Sequence, residues 1–357
     1  MWVAVQNVLW FSAMLSINDT LCSLAPTQRI PFYSELAHAA LQAYDLGAVT
    51  PVFLQHNSGI TYCITTPHGS PCFLLKVHQP AGEGDQPTPA QIHARMVWLA
   101  SLSATADLTV QTPLPNRQQC LLTSFIPAPD HEPVHCTLQR WIDGAHVDGD
   151  FTIAQITAVG SMMAKLHTHS QQRQPAALEQ LPTADAADLP QHISSLDRAV
   201  QLGLLSADQF ITIKRAAGRI QALVARLGHT HTTWGAVHGD LHHANLLFCD
   251  MQARPIDFDA LHVSYYLRDL GITLYHILHQ DQQVRQALLA GYCSIRVVPT
   301  EQVACLEAFV TWAAIENLAF QLTLPDQRAS SRFAHNLRQL ADIFSTKLIA
   351  ETAFALV

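Results

Sequence analysis

Two carboxylates and one carboxamide stand in two short polar islands, each walled by apolar residues. The first is Val237-His238-Gly239-Asp240-Leu241-His242-His243-Ala244-Asn245-Leu246-Leu247-Phe248; the second is Pro255-Ile256-Asp257-Phe258-Asp259. Asp240 and Asn245 are five residues apart, and Asp257 comes twelve residues after Asn245. The apolar flanks read as short buried strands, so the polar groups fall at strand-to-loop junctions. Such a set suits phosphoryl transfer, which asks a protein for positioning and charge stabilisation more than for covalent work. Asp240, following a glycine in a tight loop, would act as the base that takes or orients the hydrogen of an acceptor hydroxyl. Asn245 and Asp257 offer hard oxygens of the kind Mg²⁺ takes while keeping most of its waters. Asp259 would hold a second ion or only a loop contact. Any one of these residues is equally at home as a cap or turn residue; the three together, in this order and spacing, are hard to obtain that way.

A lysine stands in an otherwise apolar strand, Cys72-Phe73-Leu74-Leu75-Lys76-Val77-His78. Lys76 reads either as an edge-strand lysine reaching solvent or as a cation aimed beneath the sheet at a phosphate, and the islands favour the second. Upstream, Asn57-Ser58-Gly59 is a turn between two strands whose backbone N–H groups would cover phosphates. Glycine turns of this kind are common, so Ser58 and Gly59 enter as candidate nucleotide contacts only beside Lys76.

The elements that must hold these groups follow from period and punctuation. Pro31 to Tyr44 predicts a helix, with Phe32, Leu36, Ala40 and Tyr44 on one face. Val52 to Leu54, Ile60 to Thr65 and Cys72 to His78 predict an antiparallel meander. A helix from Ala90 to about Leu102 follows; Pro113 and Pro115 break the chain. Cys120 to Ile126 and His135 to Ile142 are two more strands, and Asp143-Gly144 turns the chain away. After Asp150 the pattern is helical: Phe151 to His169 with Thr152 as N-cap, two helices between Ile193 and Leu227 parted near Ser206-Ala207-Asp208, then Tyr266–His279, Val284–Tyr292, Thr300–Leu322 and about Ser331 to Leu348. The reading is α+β: an extension over 1–29, a sheet lobe over 30–142 that would bind nucleotide, and a helical lobe over 143–357 carrying the catalytic loop and acceptor site, with a cleft between the lobes.

At 357 residues, 49% apolar and 13% charged, the chain has a globular composition with room for two medium cores. A net charge of −8 and the lack of any basic run give nucleic-acid binding little support. Twenty histidines are scattered, and the densest group, His238, His242 and His243, lies inside the first island. A zinc hydrolase would use that group, but His238 reads better as a buried, hydrogen-bonded loop residue. Eight cysteines without a C-x-x-C read as small core residues of a reducing compartment, hence a cytoplasmic protein. Met1 to Ile17 carries no charge, yet it lacks the basic start of a secretory signal, and Gln6, Asn7, Ser12 and Ser16 dilute it as a membrane span. It is expected to be a non-anchoring extension, with Met14 as an alternative start.

His238-Gly239-Asp240-Leu241-His242-His243-Ala244-Asn245 with Ile256-Asp257-Phe258-Asp259 resembles the aminoglycoside phosphotransferase and choline kinase family, whose fold is protein-kinase-like, and parallels the kinase pair H-R-D-L-x-x-x-N and D-F-G. Within it the chain is most similar to the bacterial group of stress-response kinase A and homoserine-kinase-like members. Leu74-Leu75-Lys76-Val77-His78-Gln79-Pro80, Gln139-Arg140-Trp141-Ile142-Asp143-Gly144, Met163-Ala164-Lys165-Leu166-His167 and Tyr265-Tyr266-Leu267-Arg268-Asp269-Leu270 extend the resemblance over roughly residues 30 to 348. It implies ATP as donor, with adenine against the backbone of Trp141 and Ile142, Lys76 on the α- and β-phosphates, Asp240 as base, Asn245 and Asp257 as Mg²⁺ ligands, and Asp269 bracing the loop from below. The acceptor would be a hydroxyl of a small molecule or of a protein Ser/Thr.

Three departures stand out. Aligned on Met96, Trp98 and Leu99, Arg95 occupies the position of the glutamate that usually pairs with the lysine, and two cations repel. Glu83 or Asp85 would have to substitute; failing that, the chain would be a nucleotide-binding pseudokinase. The residues after the second island, Ala260-Leu261-His262-Val263-Ser264, lack the group's usual glycine and acidic residues. From Gln280 onward seven acidic and six basic residues balance, which argues against an acceptor as cationic as an aminoglycoside.

Overall fold

Every second side chain of three strands is apolar and buried: Ile60, Tyr62 and Ile64; Leu75 and Val77; Val134, Cys136 and Leu138. That period of two builds a sheet with one face in a core. The structure, a computed structural model, describes residues 26–56, 59–78, 86–127, 131–173, 176–323 and 333–338. The sheet has six strands, β1 (Thr50–His56), β2 (Gly59–Thr65), β3 (Pro71–His78), β4 (Pro113–Leu114), β5 (Thr123–Phe125) and β6 (Val134–Arg140). Their order is β1-β2-β3-β6-β4, with β5 also on β6, and all pairings are antiparallel. Helix α1 (Pro26–Leu41) sets Leu36, Ala37 and Ala40 against the apolar face, and Tyr44 joins them. Helix α2 (Pro89–Thr105) follows β3.

The chain divides into two compact units, Met1–Met96 with Gln111–Trp141, and Val97–Val110 with Ile142–Val357. The second unit is built on helices α3 (Ile153–Gln172), α4 (Leu189–Gln201), α5 (Ala207–Ala225), α6 (Leu267–His276), α7 (Gln282–Cys293) and α8 (Leu306–Gln321). Their apolar stripes form one core that includes Ile156, Val159, Met163, Ile220, Leu270, Leu288, Phe309 and Trp312. Capping boxes start two of them, Thr152 with Gln155 at α3 and Ser206 with Gln209 at α5. Two small antiparallel ribbons lie in the same unit, β7 (Trp234–Val237) with β10 (His262–Tyr265), and β8 (Leu246–Cys249) with β9 (Gln252–Pro255).

Several boundaries differ from the sequence reading. Pro113 does not break the chain but enters β4 at the edge of the sheet, where proline's missing N–H has no ladder partner to lose. The stretch expected as one helix over Thr300–Leu322 is a four-residue helical segment at Thr300–Val303 and then α8. Between α3 and α4 the chain makes two 3₁₀ turns, Ala176–Gln180 and Ala186–Asp188. Of the last expected helix, residues 333–338 are helical and the remainder lies outside the described residues. Among the described residues one span, Thr300–Gln321, is long and apolar enough to cross a membrane, and 72% of its most apolar 18-residue window is buried inside the protein.

Candidate active site

The two ribbons place the two islands. The first island runs from the end of β7 to the start of β8; the second runs from the end of β9 to the start of β10. Backbone bonds tie them together. The Ile256 amide donates to the Asn245 carbonyl at 3.0 Å, and the Ile256 carbonyl accepts Nε2–H of His238 at 3.0 Å. Nδ1 of His238 accepts the Asp240 amide at 3.3 Å, so this ring, fully buried, is a loop strut as expected.

Beneath the loop lies Asp269 at the start of α6, with no exposed surface. Its Oδ2 accepts the His238 amide at 2.9 Å and Nε2 of His167 at 3.0 Å; its Oδ1 accepts the Gly239 amide at 2.8 Å. Burial pushes the Asp269 carboxyl up, but His167, His238 and the Gly239 amide outweigh it and hold it below its ordinary value. Burial pushes His167 down, so the pair is a carboxylate facing a neutral imidazole whose Nδ1 accepts Tyr292 O–H at 2.9 Å. Thr273 on α6 adds a bond to the Leu241 carbonyl at 2.7 Å. Gly239 has φ +84°, and a Cβ there would lie 2.5 Å from the Ala260 carbonyl and 2.6 Å from the His262 ring. No other residue fits.

Asp240 and Asn245 are brought together. Nδ2 of Asn245 donates to the Asp240 carbonyl and to its Oδ2, both at 2.9 Å. The Asn245 side chain is buried, and that of Asp240 is 49% exposed. Asp257 is exposed and has φ 60° and ψ 68°, a left-handed conformation that costs a non-glycine residue about 1–3 kcal/mol. It opens the 3₁₀ turn Phe258–Ala260 without its carboxylate capping that turn. With Nδ2 of Asn245 committed to Asp240, its Oδ1 and the Asp257 carboxylate are hard oxygens of the kind that a divalent cation such as Mg²⁺ takes. Among the described residues no group of three or more His, Cys, Asp or Glu is placed to hold a metal.

In the first unit Lys76 stands opposite the α1-covered face, since Leu75 and Val77 point into that core. Its β3 lies between β2 and β6, in register Thr61–Lys76–Thr137, so the edge-strand reading is excluded. Gly59 lies beside it: a Cβ there would come within 3.1 Å of Lys76 Cε and 2.8 Å of the Val77 carbonyl. Ser58 lies outside the described residues, as do Glu83 and Asp85. His78 shares the Lys76 face and bonds Thr137 Oγ1 at 3.1 Å. Burial, and then the charges of Lys76 and Arg95, push His78 well down, which puts both cations near one imidazole. Arg95 is buried on α2. The Trp141 amide donates to the Cys72 carbonyl at 3.0 Å, so of the backbone groups expected to meet adenine this one is already committed. Ile142 begins the second unit's portion after the sheet.

Residues 53–305 match the phosphotransferase enzyme family. The chain belongs to that family. Solved structures share the protein-kinase-like fold of this phosphotransferase. A microcompartment-associated aminopropanol kinase is 23% identical with a TM-score of 0.72, over 87% of this chain and 97% of that one. An amicoumacin kinase solved with AMP-PNP, Ca²⁺ and Ami is 16% identical with a TM-score of 0.68, over 91% and 96%. A spectinomycin phosphotransferase solved with ADP and its antibiotic is 16% identical with a TM-score of 0.60, over 94% and 99%. No curated protein sequence matches significantly.

His167 has no role in the motif it stands in, yet its Nε2 completes the Asp269 brace where α3 meets α6. The His242 ring is a neighbour of Asp240 that motif spacing alone does not reveal: Nε2 lies 3.5 Å from Oδ2. Trp312 lies in the core. It stacks on Phe309 and lies under the Arg268 guanidinium at 4.4 Å. Its Nε1 donates to Glu316, which pairs with Arg268 at 2.6 Å.

Proposed function

We propose that this phosphotransferase is a cytoplasmic, ATP- and Mg²⁺-dependent kinase that phosphorylates a hydroxyl of a small molecule, with Asp240 as base. One observation carries the reading: Asn245 fixes the Asp240 carboxylate through Oδ2 at 2.9 Å, and Oδ1 is left for the acceptor. The solved neighbours, kinases of small hydroxyl compounds by their names, favour a small molecule over a protein as acceptor.

In the transfer the Asp240 carboxylate accepts the hydrogen of the acceptor hydroxyl. That oxygen bonds to the γ-phosphorus, the bond from the γ-phosphorus to its bridging oxygen breaks, and ADP leaves. Asn245 Oδ1 and Asp257 would hold the Mg²⁺, whose charge offsets that of the phosphates. Lys76 would lie along the α- and β-phosphates, the turn of Ser58 and Gly59 would cover them, and the Trp141 carbonyl with the Ile142 backbone would face adenine.

Arg95 favours a second reading, a nucleotide-binding pseudokinase. It is buried on α2 and close enough to His78 to act on the same ring as Lys76. Thermal shift with Mg-ATP, run beside ADP release over a panel of amino alcohols, sugars and Ser/Thr peptides, separates the two. The kinase reading expects stabilisation together with ADP release for at least one acceptor. Stabilisation with no turnover for any acceptor, restored by Arg95→Glu, establishes the pseudokinase. No response to nucleotide at all removes both.

A further inference from the structure

The Asp240 carboxylate has a second neighbour on the oxygen that Asn245 holds. Nδ1 of His242 accepts the Ala244 amide at 3.3 Å, and an amide can only donate, so the ring proton sits on Nε2. That Nε2 lies 3.5 Å from Asp240 Oδ2 and 3.4 Å from Asn245 Nδ2. Asn245 Nδ2 is hydrogen-bonded to Oδ2, and the His242 Nε2–H lies beside the same oxygen at 3.5 Å, longer than a hydrogen bond but close enough to act on its charge. The ring is held in this pose from three directions. The Ala244 amide fixes Nδ1, the His242 amide itself donates to the Asp240 carbonyl at 3.0 Å, and the His276 ring stands behind it with centroids 5.1 Å apart. His276 is a neutral backing: burial and the His242 ring push it down to about 4. Only 23% of the His242 side chain is exposed.

We propose that His242 is a positioning residue for Asp240. The Asn245 amide holds Oδ2 by a hydrogen bond and the adjacent His242 Nε2–H draws negative charge to that same oxygen, so that Oδ1 is the one presented to the acceptor. A carboxylate held by one donor alone can swing about that bond; a second N–H beside the same oxygen keeps the other oxygen forward. Misplacing a reacting group by about 1 Å costs on the order of 100-fold in rate. The inference rests on reading Asp240 as the base. The bland alternative is that His242 only caps the turn through Nδ1.

Two isosteric changes separate the roles. His242→Asn keeps an acceptor where Nδ1 caps the turn and removes the Nε2 donor; His242→Gln keeps a donor near Nε2 and gives up the cap. The readout is ADP release from Mg-ATP with the best acceptor of the panel, or with water where none is taken. Positioning expects His242→Asn to lower kcat by roughly 10- to 100-fold with KM for Mg-ATP within about twofold, and His242→Gln to recover most of that loss. Wild-type kcat in His242→Asn, a loss seen only in KM, or His242→Gln no better than His242→Asn would overturn it. Unfolding of the cap-preserving His242→Asn would also overturn it, since the ring would then be a structural prop. Asp240→Asn in the same assay keeps the two claims apart. If it is inactive while His242→Asn matches wild type, only the positioning role fails; if it retains turnover, the base assignment itself fails.

Discussion

Replacing Asp269 by asparagine changes one oxygen to an amide and should loosen the whole catalytic loop. The carboxylate accepts three bonds at 2.8–3.0 Å, from the amides of His238 and Gly239 and from His167, with no exposed surface. Asparagine has one acceptor and two donors. If its oxygen faces Gly239, its NH₂ opposes the His238 amide. His167 can escape by moving its proton to Nδ1, because Tyr292 can accept there, but a backbone amide has no such freedom. If the side chain flips, Gly239 is stranded instead. Either way one buried N–H loses its acceptor, about 1–3 kcal/mol, and the surviving bonds lose their charge assistance, about 1 kcal/mol more. The expected loss is about 2–4 kcal/mol. Urea unfolding at pH 7.5 measures it, and hydrogen exchange of the amides in residues 237–241 should rise in parallel. A change below about 0.5 kcal/mol with unaltered exchange would mean that Asp269 does not brace the loop.

Gly239→Ala should destabilise by more than about 2 kcal/mol and cut turnover at least 100-fold, because neither the φ of +84° nor the 2.5 Å approach of the Ala260 carbonyl admits a Cβ; near-normal melting and turnover would contradict the loop geometry. Acid should destabilise the second unit below about pH 6.5. Burial pushes both His262 and His276 down to about 4, so the unfolded chain binds protons that the folded one refuses. Stability is therefore full above pH 6.5 and falls toward pH 4, by about 2 kcal/mol per ring at pH 5. Melting scans from pH 7.5 to 5 check this, and His276→Asn should flatten the curve. Glu316→Gln should cost roughly 3 kcal/mol in unfolding free energy by stranding Arg268, while the double change Arg268→Met with Glu316→Leu should cost clearly less.

The loop was the most legible part of the chain because its residues act within a few positions of one another. Gly239, Asp240 and Asn245 sit in one loop between β7 and β8, and Asp269 is recognisable at the start of its helix. What the sequence could not decide depends on partners far along the chain. Lys76 is favoured as interior by the islands alone until β6 is known to pair with β3. His242 reads as one of three clustered histidines until the turn at His243–Asn245 swings its Nε2 toward Asp240. The break in Thr300–Leu322 is hidden because the residues at it, Val303-Ala304-Cys305-Leu306, are apolar and include no glycine or proline to mark an end. Arg95 was legible as a departure, and its burial beside His78 sharpens it. A cation this enclosed in the lysine's own unit bears directly on how ATP is held.

The central claim is that Asp240 acts on the acceptor while nucleotide is held by other residues. It is tested most directly by comparing wild type and Asp240→Asn for Mg-ATP binding by calorimetry and for phosphate transfer in one preparation. The account predicts Kd for Mg-ATP within about threefold of wild type and turnover reduced by roughly 100- to 10,000-fold. Turnover like that of wild type, with nucleotide bound equally well, would contradict it.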